Sequence, residues 1–137
     1  MLLENRVAFI TGAGSGIGAA GALKLARQGA TVVVTDRDRD AAVGVAEAIA
    51  AEGYAADALT LDVTDDEAVA DAIGGTAGKY GRLDVLHSHA GIQIEGKLEQ
   101  VAVADMDASW ALNVRAHFVA ARAALGPMRR QGQGSVI

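Results

Sequence analysis

A doubly wound α/β fold, with a parallel sheet covered by helices on both faces, is predicted by three features of the sequence. Apolar, β-branched runs alternate with segments of helical period along all 137 residues. A glycine turn, Thr11-Gly12-Ala13-Gly14-Ser15-Gly16-Ile17-Gly18, joins the first apolar run (Val7 to Ile10) to the first helical segment. A second run, Thr31 to Thr35, ends in Asp36, which follows Gly18 by 18 residues.

The elements follow in order. Strand one is expected over about Arg6 to Thr11. Helix one runs from Ile17 to about Gln28, with Gly18, Ala22, Leu25 and Ala26 inward and Gly29 as its stop. Strand two, Thr31 to Thr35, is a continuous β-branched run suited to a strand buried on both faces. Helix two starts near Asp40. Its apolar positions Ala42, Val45, Ala46 and Ile49 keep helical spacing, and Gly53 closes it. Strand three covers about Ala56 to Leu61 and ends in Asp62-Val63. Thr64 is expected to cap helix three, with Glu67 completing a capping box and Asp65 and Asp66 favouring the helix dipole. Gly74 and Gly75 interrupt that helix pattern, each costing about 1 kcal/mol relative to Ala. Strand four covers about Asp84 to Ala90, and a looser stretch runs from Gly91 to Ala104. A long helix is expected over about Asp105 to Gln131, kinked near its end by Pro127. Its apolar face is read as Met106, Trp110, Val114, Phe118, Ala121 and Leu125, which points the amide of Asn113 inward. Gly132-Gln133-Gly134 turns the chain into Ser135-Val136-Ile137, the opening of a fifth strand.

Composition narrows the function. The length suits one domain, residues 1–137, with room for a core. A formal net charge of −5 and 4% aromatic residues argue against a nucleic-acid partner. The absence of cysteine removes disulfides, thiolate zinc sites and a cysteine nucleophile, and it fits a reducing compartment. No apolar run reaches the ~18 residues of a membrane span, and no signal-peptide pattern opens the sequence. A cytoplasmic protein without a membrane partner is therefore expected.

The glycine turn has the makings of a phosphate cradle. Gly12 permits a tight turn, Gly16 lets backbone approach a pyrophosphate, and Gly18 lets helix and strand pack closely. The helix N-terminus offers free N–H groups and a partial positive charge to the anion. Asp36 stands near the roughly 20-residue spacing of a carboxylate that accepts hydrogen bonds from an adenosine ribose. A free 2′-hydroxyl is a donor and a 2′-phosphate would be repelled, so NAD is favoured over NADP. Arg37 and Arg39 soften that preference.

These residues together make the chain similar to the short-chain dehydrogenase/reductase family, over its whole length. Thr11-Gly12-xxx-Gly16-x-Gly18 matches the family's TGxxxGxG cofactor loop, within which Ser15 and Ile17 lie. Asp36 matches the ribose-binding acid. Asp62-Val63 matches the pair that faces adenine. Ala90-Gly91 matches the end of the family's Asn-Asn-Ala-Gly motif. Asn113 matches the asparagine of the catalytic tetrad, which holds a water in the proton relay. The resemblance implies a Rossmann-like domain and hydride transfer between NAD and a secondary alcohol or carbonyl. It also implies a homo-oligomer, dimer or tetramer, when the enzyme is complete.

Two departures qualify this. Ser88-His89 stand in place of Asn-Asn, so only Ala90 and Gly91 carry over. Ser88 is expected to bond to neighbouring backbone. His87 and His89 share a strand face, but Asp84 would point to the opposite one, so no metal site is assigned and both are read as sheet residues near the cofactor. The family's catalytic serine and Tyr-x-x-x-Lys are also missing: Tyr54 and Tyr80 have Ala58 and Asp84 four residues on, and Ser135 comes too early in its strand. Stand-alone turnover is therefore doubtful. The chain is read as part of a longer enzyme, truncated at the start of strand five, ahead of a frameshifted product or a genuine half-domain. Truncation is expected to expose one edge of strand four and much of the long helix's apolar face. The alternative function is a non-catalytic nucleotide-binding or interaction module. A methyltransferase is disfavoured because Thr11 stands where such enzymes place an acid.

Overall fold

The computed structural model describes residues 1–137. Five strands, β1 (Val7–Thr11), β2 (Thr31–Asp36), β3 (Ala56–Thr60), β4 (Val85–Ser88) and β5 (Ser135–Val136), form one sheet in the order β3-β2-β1-β4-β5. Every pairing is parallel. The chain moves outward from β1 to β2 and β3, then crosses back to lay β4 on the other side of β1. This reversal opens a crevice at the C-terminal ends of β1 and β4, where doubly wound folds bind ligands. The fold is Rossmann-like, as the sequence predicts.

Period-two alternation builds two cores. Ala8, Ile10, Val32 and Val34 face one side of the sheet, against Ala22 and Ala26 of helix α1 (Gly16–Arg27) and Ala42, Ala46 and Ile49 of α2 (Arg39–Ala51). Phe9, Val33 and Leu86 face the other, against Val69 and Ile73 of α3 (Asp66–Tyr80). No helix is long and apolar enough to cross a membrane.

Several expectations are corrected. Helix α3 begins at Asp66, so its cap is Asp65, whose side chain accepts from the Ala68 amide. Thr64 does not cap it, because the Thr64 hydroxyl and amide both donate to Asp62. Strand β4 is shorter than read: the chain leaves the sheet after Ser88, where His89 and Ala90 bond instead to the Thr11 side chain. The long helix starts at Val103 as α4 (Val103–Trp110), passes through a π-helical turn (Ala111–Arg115) and continues as α5 (Ala116–Gln131). It runs on through Pro127, and its change of hydrogen-bond register lies at 111–115 instead.

The inner face of that helix is also different. Ala116, Ala120, Ala124 and Met128 are buried, whereas Met106, Trp110, Val114, Phe118 and Leu125 are exposed. Small side chains let α5 lie close on α3 and β4, so the small stripe is the core and the large one faces solvent. The expected open edge of β4 is covered, since β5 pairs with it at Val85↔Ser135 and Leu86↔Val136. The outer edge of β5 is the free one.

Candidate functional site

The crevice at the strand ends is a cleft of about 790 Å³. It gathers Gly12, Ser15, Gly16, Ile17, Asp36, Arg37, Asp62, Val63, Ala90, Gly91 and Asn113, eleven of the thirteen residues singled out from the sequence. Thr11 and Gly18 do not line it and lie beneath. Thr11 is buried, and its hydroxyl accepts from the amides of His89 (2.9 Å) and Ala90 (3.1 Å), tying β1 to the end of β4. A Cβ on Gly18 would fall 2.2 Å from the Gly12 carbonyl oxygen, so the turn closes on the helix only with glycine there.

The turn is built for an anion. Gly12 has φ +64°, and a Cβ there would sit 2.9 Å from the Ala90 Cα. Gly16 has φ +54°, and no heavy atom lies within 4 Å of where its Cβ would be, so a side chain would fill open cleft. Ser15 is the N-cap of α1 yet makes no side-chain cap bond, and the first-turn amides have no intrahelical acceptor. A cradle of bare backbone amides at a helix N-terminus fits a diphosphate.

Asp36 ends β2 at the cleft. Its two carboxylate oxygens accept from the amides of Gly14 and Asp38, both at 3.0 Å, which fixes its direction and leaves one lone pair on each oxygen. Gly14 escaped the sequence reading. A Cβ there would lie 2.9 Å from the Asp36 carboxylate, so glycine at 14 is what lets the acid dock on the turn. Asp62 accepts from the Thr64 hydroxyl (2.7 Å) and amide (2.9 Å), which hold its carboxyl below the usual carboxylate range despite partial burial.

Asn113 sits within the π-helical turn, a common device at functional sites. It is exposed at the cleft rim, not directed into the core. Its Oδ1 accepts from the Ile92 amide (2.9 Å), and its Nδ2 donates to the Ile92 carbonyl (2.8 Å) and to the Ser109 hydroxyl (3.1 Å). Oδ1 and one amide proton pin the loop after Gly91 at Ile92, and the other amide proton ties Asn113 to Ser109 of α4. Ser88 does not bond to neighbouring backbone as expected; its hydroxyl lies 2.7 Å from Nδ1 of His117 on α5. The cleft also includes Leu61, Thr64, His89, Ile92, Gln93 and Leu112, which spacing did not single out as lining residues. A local signal existed for His89 alone, as a departure within the Ala90-Gly91 motif.

The profile of the short chain dehydrogenase family matches residues 6–137, and the chain belongs to that family. It is 42% identical over 132 residues to versicolorin reductase 1 of Aspergillus parasiticus, covering 96% of this chain and 50% of that protein. It is 37% identical over 135 residues to the 2,5-dichloro-2,5-cyclohexadiene-1,4-diol dehydrogenase LinX of Sphingobium indicum, covering 98% and 54%. Among solved structures, a metagenomic short-chain oxidoreductase in complex with NADP superimposes with a TM-score of 0.94 at 36% identity, over 99% of this chain and 62% of that one. The chain thus spans about half the length of the curated relatives it matches. The family is one of oxidoreductases that bind nicotinamide cofactors.

Proposed function

We propose that residues 1–137 are a single dinucleotide-binding domain of an oxidoreductase that moves hydride between NAD and a secondary alcohol or carbonyl. The observation that carries the reading is Asp36, held by the Gly14 amide at the edge of the glycine cradle. Its remaining lone pairs suit the two ribose hydroxyls, and its charge opposes a 2′-phosphate. Arg37 lines the same cleft and works against that preference. Asp62 and Val63 would take the adenine end, and Ala90 and Gly91 the floor beneath the nicotinamide half. The bound nicotinamide supplies or accepts the hydride. Asn113 would position the substrate loop through Ile92. A relay water at this residue would have to accept no amide proton, because both are committed, and would donate to Oδ1 or to the backbone carbonyl.

A second reading is a nucleotide-binding module without turnover, which needs only the glycine cradle and Asp36 that the cleft brings together. Calorimetric titration of the chain with NAD and NADP, followed by an absorbance assay with secondary alcohols, separates the readings. The expected result is NAD binding about tenfold tighter than NADP, with no turnover by the chain alone and turnover by a form carrying the tyrosine and lysine. Tighter NADP binding would overturn the NAD assignment. An inactive longer form that still binds NAD would favour the second reading.

A further inference from the structure

We propose that the hydrogen bond between Ser88 and His117 is a positioning strut of the cleft. Together with Asn113 it bends residues 88–92 into the floor assigned above to the nicotinamide half of the dinucleotide. The inference deepens the dinucleotide reading and rests on it for what that floor carries.

The chain leaves the sheet after Ser88, and no strand or helix shapes residues 89–97. Neighbouring side chains hold the start of this stretch instead. His117 grips the Ser88 hydroxyl through Nδ1 at 2.7 Å, Thr11 accepts from the His89 and Ala90 amides, and Asn113 takes both backbone groups of Ile92. Ser88 thus meets His117, and Ile92 meets Asn113, so one helix grips both ends of residues 88–92, which run antiparallel to it. Helix positions 113 and 117 lie about 6 Å apart along the axis, whereas an extended chain from 88 to 92 would cover about 13 Å. A segment tied at both points is therefore bent, with Ala90 and Gly91 at the bend. The bend is tightly packed: a Cβ on Gly12 would lie 2.9 Å from the Ala90 Cα, and one on Gly91 would lie 2.9 Å from Asn113 Oδ1.

The π-helical turn, Ala111–Arg115, contributes to this arrangement. Its wider turn holds more residues than the roughly 3.6 of an α-helix, so positions 113 and 117 come closer to one line along the helix. Asn113 and His117 then share the edge that faces the segment. Ser88 and His117 are both half-buried, and neither lines the cleft. They act on it through Ala90, Gly91 and Ile92, which do line it. His117 is therefore a positioning residue, and its partner Ser88 is the other half of the same device.

The test is amide hydrogen exchange of the isotope-labelled chain, read by NMR, together with titrations of NAD and of ADP, which lacks the nicotinamide half. Ser88→Ala and His117→Leu are each expected to speed exchange at the Ile92 amide about fivefold, the scale of one hydrogen bond. Phe9 and Val33 in the core should exchange as in wild type. His117→Asn places an amide where Nδ1 stood and should restore wild-type exchange, and the variant lacking both partners should be no worse than either single one. Ser88→Ala and His117→Leu should each weaken NAD about threefold and leave ADP unaffected. Unchanged exchange at Ile92, acceleration that spreads to Phe9 and Val33, no recovery in His117→Asn, or NAD affinity that is unchanged or falls equally with that of ADP would overturn the inference while leaving the dinucleotide reading intact. Failure of wild type to bind either NAD or ADP would overturn that reading and the role of the floor, with exchange at Ile92 still deciding whether the strut holds the segment.

Discussion

Asp84 sits just before β4 with its side chain 7% exposed. Its carboxylate accepts from Arg6 (3.0 Å), from the Val7 amide (2.9 Å) and from two nitrogens of Arg82 (2.7 Å each). Burial alone would raise its pKa. The Arg82, Val7 and Arg6 hydrogen bonds outweigh that effect and hold the carboxyl below the usual aspartate range. A depressed folded-state pKa adds stability that is complete above the unfolded pKa and is lost as pH falls through the folded one. The share of stability that Asp84 supplies should therefore be lost only as pH falls below the ordinary aspartate range, read as the difference between the urea-unfolding profiles of wild type and an Asp84 variant. Asp84→Asn should cost about 2 kcal/mol at neutral pH, because two partly exposed arginines lose their acceptor, and should weaken the acid dependence. An Asn variant as stable as wild type would show that the cluster is inert. At this scale the sequence was legible where chemistry is local. The glycine turn and Asp36 are short-range features, and eleven of thirteen chosen residues reach the cleft. Gly14 was missed because its reason, the Asp36 carboxylate, is 22 residues away. The Ser88–His117 bond joins residues 29 apart, which no spacing rule reveals.

The first two helices were legible by face as well as by existence, since Ala22 and Ala26 of α1 and Ala42, Ala46 and Ile49 of α2 are buried as their spacing predicts. Strands β1 and β2 followed directly from their β-branched runs, since burial on both sides leaves only apolar choices. The long helix was placed correctly and rotated wrongly. Ranking its residues by size selected Trp110 and Phe118, whereas close approach to α3 selected Ala116, Ala120 and Ala124. The same attention to packing resolves the glycines of α3. A Cβ on Gly74 or Gly75 would meet no heavy atom within 4 Å, so neither is required by a close neighbour. Both are exposed inside a 15-residue helix. Gly74→Ala and Gly75→Ala should each stabilise the chain by about 0.5–1 kcal/mol, through lower backbone entropy in the unfolded state. Thermal unfolding of the single and double variants checks this. A loss of stability in either would reveal a role for the flexible helix that the packing does not show.

At the scale of the whole molecule, the two faces of one long helix divide the labour. The alanine face completes the core, and the opposite face shows Met106, Trp110, Val114, Phe118 and Leu125, each 44–67% exposed. They recur along one side of α4, the π-helical turn and α5, so they form a connected apolar stripe rather than scattered contacts. Water is a poor neighbour for such a stripe, and burying it gains about 25 cal/mol per Å². We expect the chain to self-associate along it. Light scattering after size exclusion should then give a mass above 13.9 kDa that rises with concentration. Trp110 is the only tryptophan, so its emission should shift to shorter wavelength on association. Trp110→Glu combined with Phe118→Glu should return the chain to 13.9 kDa without changing its unfolding midpoint in dilute solution, because neither side chain supports the core. A wild-type chain that stays monomeric at high concentration, or a double variant that associates equally well, would place the contact elsewhere, with the free edge of β5 next in line.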